Sequence, residues 1–171
     1  MEKLRDIIMS KRMVLCTGNP NKPGSIASGI REAFPDATFV YKSNGYDLTK
    51  ISIKDIMLKH NCFINASYIG PGIQCKLLDD YFETVKIGEV FNIGSTHEYD
   101  GLSTNTDYET SKQTLRDRSL LLNNYKINST HIVLGEKDKI TPNRIANLIK
   151  WIMDHEMKFP IIGIDYPKQE W

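Results

Sequence analysis

Hydrophobic and polar positions alternate along the chain in a pattern that predicts strands and helices in turn. Short apolar runs rich in β-branched residues predict strands at residues 12–17, 38–42, 62–66, 87–95, 129–134 and 161–164. The longer segments between them predict helices at residues 25–34, 53–60, 73–82, about 107–124 and 142–157. This alternation predicts an α/β fold of the doubly wound, Rossmann-like kind, in which a mainly parallel sheet of about six strands has helices on both faces.

Composition argues against two classes of partner. The chain has 171 residues, a net charge of +1 and a pI of about 7.7, and its basic residues are scattered. Nucleic acid and anionic membranes both attract clustered basic residues, so we expect neither as a partner. No stretch approaches the ~20 apolar residues that a membrane span requires. At this length we expect one domain over residues 1–171, with small molecules as its partners.

The cysteines and the first residues indicate the compartment. Cys16, Cys62 and Cys75 are odd in number and show no CxxC spacing, and two of them lie in apolar strand-like runs, which favours reduced thiols. Residues 1–9 carry acids and lack the long apolar core of a signal peptide. We therefore expect a cytoplasmic protein. The four histidines are dispersed, so no metal site is predicted.

The first predicted strand leads into a glycine-bearing turn that opens a helix. The turn runs from Gly18 through Asn19 and Lys22 to Ser25 and Ile26. Glycine lets backbone amides approach a pyrophosphate, and a helix N-terminus offers free N–H groups and the positive end of its dipole. The glycines do not follow the GxGxxG spacing. A dinucleotide-binding turn is one interpretation, and a turn that needs Gly18 only for its backbone geometry is the other.

The end of the fourth predicted strand and the helix after it carry the clearest catalytic pattern. Ser95 ends the strand, Tyr108 follows thirteen positions later, and Lys112 lies one helical turn beyond Tyr108. A serine hydroxyl, a phenol and an ammonium that meet can transfer a proton to a carbonyl oxygen, which is the chemistry of a reductase. A second tyrosine–lysine pair, Tyr46 and Lys50, has only a polar turn before it, so the pattern favours Tyr108.

The order of these segments resembles that of the short-chain dehydrogenase/reductase family. Three further segments are similar to family motifs that line the adenine, end a strand and open a helix: Asp47-Leu48-Thr49, Asn65-Ala66-Ser67 and Thr141-Pro142. The resemblance covers about residues 12–165 and implies an NAD(P)-dependent oxidoreductase that reduces a small carbonyl compound or oxidises the alcohol. It also implies a homodimer or homotetramer that packs through the helix of Tyr108.

Residues 25–30 are also similar to the first helix of enoyl-acyl-carrier-protein reductases, which belong to the same family. In those enzymes six residues separate the tyrosine from the lysine, whereas three residues separate Tyr108 from Lys112. The shorter spacing is that of the ketone and alcohol members. The likeness to enoyl reductases therefore concerns the phosphate-binding turn alone.

Three residues are predicted to be catalytic. We expect Tyr108 to act as the general acid or base and Ser95 to hydrogen-bond the substrate oxygen. We expect Lys112 to lower the pKa of Tyr108, and the resemblance implies that it also holds the nicotinamide ribose. Two alternatives stay open: Thr96 supplies the hydroxyl in place of Ser95, or Tyr108 only caps a helix while Lys112 is solvated.

The predicted cofactor is NADP, with NAD as the less favoured alternative. No acid follows the second predicted strand, where Lys42 stands, and Lys22 adds positive charge in the first turn, although either lysine could simply be solvated. Asp47 and Asn65 are also good turn residues, so structural roles for both stay open. The predicted cofactor contacts are Gly18, Asn19, Lys22, Ser25, Ile26, Lys42, Asp47, Leu48, Asn65, Ala66, Ser67, Tyr108 and Lys112.

The chain departs from the family in ways that concern substrate binding most. Only one strand fits between the first helix and Asp47, which predicts a narrower sheet. The segment 67–85 has no asparagine for the family's proton relay, Leu134-Gly135 replaces Pro-Gly, and the lid region after it is almost absent. Two other functions therefore stay open: a dinucleotide-binding sensor or remnant without turnover, and a flavodoxin-like nucleotide binder that has no use for Tyr108.

Overall fold

Six strands and five α-helices alternate along the part of the chain that the structure describes. The structure, a computed structural model, describes residues 12–96, 98, 106–124, 126–135 and 140–164. The strands are β1 (Val14–Thr17), β2 (Thr38–Val40), β3 (Cys62–Asn65), β4 (Gly88–Ile93), β5 (Ile127–Leu134) and β6 (Ile161–Ile164). The α-helices are α1 (Ile26–Ala33), α2 (Lys54–Met57), α3 (Ile73–Thr84), α4 (Thr106–Leu122) and α5 (Pro142–Asp154).

The predicted elements are all present, and their ends differ from the predicted ones by three residues or fewer. Three elements illustrate these differences. The second strand ends at Val40 because Lys42–Asn44 forms a 3₁₀ turn, which Gly45 closes in the left-handed conformation. The second helix is one short turn rather than residues 53–60, and the fifth strand begins two residues earlier, at Ile127. Local hydrogen bonds that hydrophobic periodicity does not report set these ends, as where the side chain of Asn44 accepts from the N–H of Tyr41.

The six strands form one sheet in the order β2-β1-β3-β4-β5-β6, and every neighbouring pair is parallel. The predicted parallel, doubly wound fold is therefore confirmed. At one edge of the sheet, β2 is the single strand that follows β1. This narrow edge was predicted, because only one strand fits between the first helix and Asp47. The chain turns in opposite directions from β1, to β2 on one side and to β3 on the other, and such a switch point opens a crevice at the carboxyl ends of the strands.

Successive residues of the strands face opposite layers of helices. Val14 and Cys16 of β1 pack in the layer of α1 and α5, whereas Leu15 packs with α2, α3 and α4. In β3, Ile64 faces the first layer and Phe63 the second. This alternation explains the continuous apolar runs in the sequence, because a strand that is covered on both faces has no solvent-facing side.

Two kinds of feature are absent among the described residues. No helix there is long and apolar enough to cross a membrane. The same residues hold no group of three or more His, Cys, Asp or Glu side chains that could bind a metal ion.

The contact between α1 and α5 makes the first testable prediction. A Cβ at Gly29 of α1 would overlap the backbone of Pro142, the first residue of α5, so we expect Gly29→Ala to destabilise the fold by about 1–3 kcal/mol in urea unfolding. Helix propensity alone would favour alanine by about 1 kcal/mol. Gly70→Ala is the control because no atom lies within 4 Å of its Cβ position. A Gly29→Ala protein as stable as Gly70→Ala would contradict the packing.

Candidate active site

A cavity of about 430 Å³ opens beyond the carboxyl ends of β1 and β2. Small-molecule sites typically measure roughly 300–1,000 Å³. Six of the predicted cofactor contacts line it: Gly18, Asn19, Lys42, Asp47, Leu48 and Ser67. Tyr41, Tyr46, Tyr68 and Ile69 form part of the remaining wall, and the sequence did not predict a role for them.

Gly18 begins the turn between β1 and α1 with a φ of +129°, a conformation that other residues rarely adopt. A Cβ at this position would also lie 2.8 Å from Oγ of Ser67 and 3.1 Å from Cβ of Ala27. The turn therefore needs glycine both for its backbone geometry and for the close approach of the segment that follows β3.

Ser25 caps α1 and closes the turn on itself. Its Oγ accepts from the N–H of Ser28 at 3.2 Å and donates to the carbonyl oxygen of Asn19 at 3.0 Å. Lys22 is exposed, and its N–H donates to the same carbonyl at 3.2 Å. Lys22, Ser25 and Ile26 lie outside the cavity wall, although the free amides at the start of α1 remain suited to a phosphate.

The ends of β1 and β3 are joined by the side chain of Thr17. Its Oγ1 accepts from the backbone N–H groups of Ala66 and Ser67 at 2.9 and 3.0 Å. Asn65 is fully buried, and its Nδ2 donates to Oδ1 of Asn92 at 3.0 Å. Asn65 and Ala66 thus hold the strand end in place, whereas Ser67 lines the cavity.

Asp47 caps a turn and lies between two lysines at the edge of the cavity. Its Oδ1 accepts from Oγ1 and N of Thr49 at 2.6 and 3.2 Å, and its Oδ2 lies 3.8 Å from Nζ of Lys42 and 3.9 Å from Nζ of Lys50. The hydrogen bonds from Thr49, assisted by both lysines, hold the pKa of Asp47 below its usual value. Two ammonium groups and one carboxylate leave a net positive charge here.

Ser95 lies two residues beyond β4 and faces the first turn of α4. Its hydroxyl shares a hydrogen bond with the hydroxyl of Tyr108. Ser95 is buried and Tyr108 is half-buried. Ser95, rather than the neighbouring Thr96, is therefore the hydroxyl that reaches the tyrosine.

Lys112 is buried, with 2% of its surface exposed. Its ammonium donates to Oε1 of Gln74 and to the carbonyl oxygen of Ile93, both at 2.7 Å, and lies 5.5 Å from the ring centroid of Tyr108. Burial lowers the pKa of Lys112 from 10.5 to about 8. The interpretation of Lys112 as a solvated surface residue is therefore wrong.

The expected net lowering of the Tyr108 pKa is wrong. Burial raises the pKa of Tyr108 above its usual value, the hydrogen bond with Ser95 opposes this rise, and Glu98 and Tyr68 add to it. The ammonium of Lys112 is hydrogen-bonded to Gln74 and Ile93 rather than to the phenol, so any effect that it has on Tyr108 does not outweigh burial. The phenol thus keeps its proton at neutral pH.

Solved structures share this architecture. The 3-ketoacyl-(acyl-carrier-protein) reductase from Brucella melitensis, complexed with NADH, has a TM-score of 0.73 at 11% identity over 92% of this chain and 98% of that chain. A short chain dehydrogenase from Mycobacterium smegmatis has a TM-score of 0.69 at 11% identity over 92% and 93%. The fold is that of the short-chain dehydrogenases/reductases. The closed form of serine dehydrogenase complexed with NADP⁺ has a TM-score of 0.68 at 12% identity over 93% and 97%. No protein-family model and no curated protein matches the sequence.

Within this short-chain dehydrogenase fold, four residues that the sequence did not single out contact the site or its neighbours. The ring of Tyr68 lies 4.8 Å from that of Tyr108 and 5.7 Å from the ammonium of Lys112. The other three, Gln74, Glu98 and His131, are buried. Gln74 and His131 could have been noticed as polar residues at core positions of a predicted helix and a predicted strand, whereas Glu98 lies between predicted elements and gave no signal.

The buried lysine predicts a pH-dependent stability. Below about pH 8 both folded and unfolded chains hold the Lys112 proton, whereas between pH 8 and 10.5 only the unfolded chain holds it. The difference between the unfolding free energies of the wild type and of Lys112→Met should therefore increase in favour of the wild type as pH rises through this window, by about 3 kcal/mol at most.

Urea unfolding at a series of pH values measures this gain. Lys59→Met is the control, because Lys59 is exposed and its replacement should show no such window. A difference between wild type and Lys112→Met that stays constant from pH 7 to 10.5 would show that Lys112 is not buried as described.

Proposed function

We propose that this chain is a nicotinamide-dependent oxidoreductase of the short-chain dehydrogenase/reductase type that reduces a small carbonyl compound or oxidises the alcohol. The observation that carries the proposal is the hydrogen bond between the hydroxyls of Tyr108 and Ser95, beside the buried ammonium of Lys112. The fold supports it, since proteins with this fold are named as complexes with NADH, NADP⁺ and NADPH.

The cavity wall fits a nicotinamide dinucleotide. Gly18 brings its backbone to the cavity without a side chain, and Lys42 presents an ammonium at the cavity edge. We assign cofactor binding to the six predicted contacts that line the cavity, to Lys22, Ser25 and Ile26 in the turn that opens α1, and to Lys112 beside Tyr108. When bound, the dinucleotide supplies the hydride.

Tyr108 is the proposed proton donor. Its raised pKa keeps the phenol protonated, which suits donation to a carbonyl oxygen that gains negative charge. Ser95 hydrogen-bonds the same oxygen and so orients it. After the proton has moved, the ammonium of Lys112, 5.5 Å from the ring centroid, stabilises the phenolate that remains. Because oxidation would begin from that phenolate, the site favours reduction.

NADP is the proposed cofactor because of the charge at the cavity edge. The side chain of Lys42 is 85% exposed at the cavity edge, and Lys42 and Lys50 outnumber the single carboxylate of Asp47, which Thr49 and the two lysines already occupy. A 2′-phosphate would gain from this net positive charge, whereas a free 2′-hydroxyl would gain from an unoccupied carboxylate.

Assembly and location belong to the same proposal. Leu120 and Leu121 are exposed near the end of α4, the helix through which we propose a homodimer or homotetramer. Cys16 and Cys62 are buried free thiols, which agrees with a cytoplasmic location.

Replacement of Tyr108 by phenylalanine tests the chemistry. The ring packing stays and only the donating hydroxyl is lost, so we expect carbonyl reduction to fall by about 10²- to 10⁴-fold while NADPH affinity stays unchanged. Steady-state kinetics and a fluorescence titration measure the two quantities. Tyr81→Phe is the control because Tyr81 lies in the core on α3. Full activity of Tyr108→Phe would exclude Tyr108 as the acid.

Replacement of Lys42 by alanine tests the cofactor choice. We expect NADPH to bind roughly tenfold more weakly and NADH to bind as before, because only NADPH carries the phosphate that Lys42 would meet. Lys22→Ala should show a smaller loss in the same direction, and Lys86→Ala, at an exposed remote position, should show none. Equal affinity of the wild type for both dinucleotides would refute the choice of NADP.

A dinucleotide-binding protein without turnover is the second candidate, and one observation favours it. The ring of Tyr68 packs against Tyr108 and lies over the ammonium of Lys112. Two of the three N–H groups of Lys112 already have acceptors among the described residues, so both proposed catalytic groups are engaged by other residues. Tight NADPH binding with no turnover on a wide carbonyl panel would support this function over the first.

A further inference from the structure

A buried acid–imidazole pair lies beside the proposed proton-transfer site but contributes no reacting group to it. Both carboxylate oxygens of Glu98 lie 3.0 Å from Nε2 of His131. Glu98 is 2% exposed and His131 is fully buried. Neither side chain can reach a substrate, so any effect on the reaction must pass through other residues.

The surrounding fold makes room for the pair and fixes it. A Cβ at Gly94 would overlap the ring of His131, so only glycine fits at this position between β4 and Ser95. The N–H of Glu98 donates to the carbonyl oxygen of Ser95 at 3.1 Å, and Nε2 of Gln113 donates to the carbonyl oxygen of Glu98 at 3.2 Å. Oε1 of Glu98 also lies 3.2 Å from the Cβ position of Gly94. Gly94 directly follows Ile93, whose carbonyl oxygen accepts from Lys112, so the carboxylate and the ammonium contact consecutive residues of one backbone segment.

The hydrogen bonds of the pair indicate its charge. Nδ1 of His131 has no partner among the described residues. A neutral imidazole that donates through Nε2 leaves only a lone pair unsatisfied, whereas an imidazolium would bury an unpaired N–H donor. Among the described residues a neutral ring therefore leaves no donor of His131 unpaired, and with a neutral ring the pair would carry the single negative charge of Glu98.

We propose that Glu98, held by His131, is the buried counter-charge of Lys112 and a positioning residue for proton transfer at Tyr108, which rests on the proposed function of these residues. A buried ammonium and a buried carboxylate on neighbouring elements each cost several kcal/mol alone, and each reduces the cost of the other. The negative charge also disfavours a phenolate at Tyr108, so the site stays ready to donate a proton rather than to accept one.

The directions of the neighbouring pKa values agree with this arrangement. Glu98 raises the pKa of Lys112 against the larger effect of burial, and Cys75 of α3 adds to the rise. Glu98 also raises the pKa of Tyr108, after burial, with Tyr68 as a further contributor. The groups that face Lys112 and Tyr108 from the packed elements are Glu98, Cys75, Tyr68, Ser95 and, through Glu98, His131.

The test is an NMR titration of the Lys112 side chain in the full chain labelled with ¹³C and ¹⁵N at lysine, with Lys112→Met to assign the signal. In Glu98→Gln, which keeps an acceptor for His131 but removes the charge, the titration midpoint should move below its wild-type value. Glu98→Asp should stay near the wild type because it keeps the charge. Glu109→Gln is the matched control: Glu109 accepts from the same Gln113 but does not act on Lys112 or Tyr108.

The rate of NADPH-dependent carbonyl reduction as a function of pH is the second readout. Its alkaline limb should move to lower pH in Glu98→Gln and not in Glu109→Gln. An unchanged Lys112 midpoint in Glu98→Gln, or equal shifts in the Gln and Asp variants, would overturn the proposal. The NMR titration needs neither cofactor nor substrate. A wild-type chain that reduces no carbonyl would therefore refute the proposed function, while the titration would still show whether Glu98 is the counter-charge of Lys112.

Stability provides a further test, in which a double variant that folds where Glu98→Gln does not also counts as the more stable of the two. The double variant Glu98→Gln/Lys112→Met removes both charges, so in urea unfolding it should be more stable than Glu98→Gln alone. A double variant no more stable than the single one would overturn the pairing of Glu98 with Lys112.

Discussion

The burial of the Lys112 ammonium is the constraint on which the arrangement of the site depends. Moving an ammonium from water into a protein interior costs several kcal/mol, and the fold offsets this with charge-assisted hydrogen bonds to Gln74 and to the carbonyl of Ile93. The offset is incomplete, since burial still lowers the pKa of Lys112 to about 8. Gln74 and Ile93 are therefore the contacts that make the buried ammonium tolerable.

The hydrogen bonds of Lys112 continue into the core through a network of buried side chains. Gln74 presents Oε1 to Lys112, and its Nε2 then donates to the carbonyl oxygen of Asn65, whose Nδ2 donates back to the carbonyl oxygen of Gln74. Asn65 also bonds Asn92, which donates to hydroxyls on α4 and β5. Loss of one member leaves a buried polar group without a partner, at a cost of about 1–3 kcal/mol. This network explains why the side chain of Asn65 supports the strand end rather than lining the cavity.

The sequence predicted what depends on local pattern, and failed where distant residues decide. Continuous apolar runs predicted the parallel sheet, and the short connection to Asp47 predicted its narrow edge. The spacing from Ser95 to Tyr108 and Lys112 predicted residues that the fold does bring together. The sign of the pKa shift of Tyr108 could not be predicted, because it depends on burial and on Glu98, whose position is fixed by His131 on another strand.

The two ends of the site are anchored in different ways. At the cavity end, Leu48 is buried in the core beside α2 and α3 and so fixes the wall that carries Asp47. At the other end, Lys112 and Ser95 are held by the network and by the turn to Glu98. Tyr68 lies between them, lining the cavity and packing on Tyr108, yet it is 36% exposed and belongs to neither core cluster.

Because the anchored groups cannot shift without breaking buried contacts, Tyr68 is the side chain between cavity and phenol whose displacement costs least. Its ring lies 4.8 Å from that of Tyr108 and 5.7 Å from the ammonium of Lys112, so it contacts both the cavity and the groups behind it. The proposed cofactor site and the proposed proton donor are therefore joined by a partly exposed ring that neither core cluster includes.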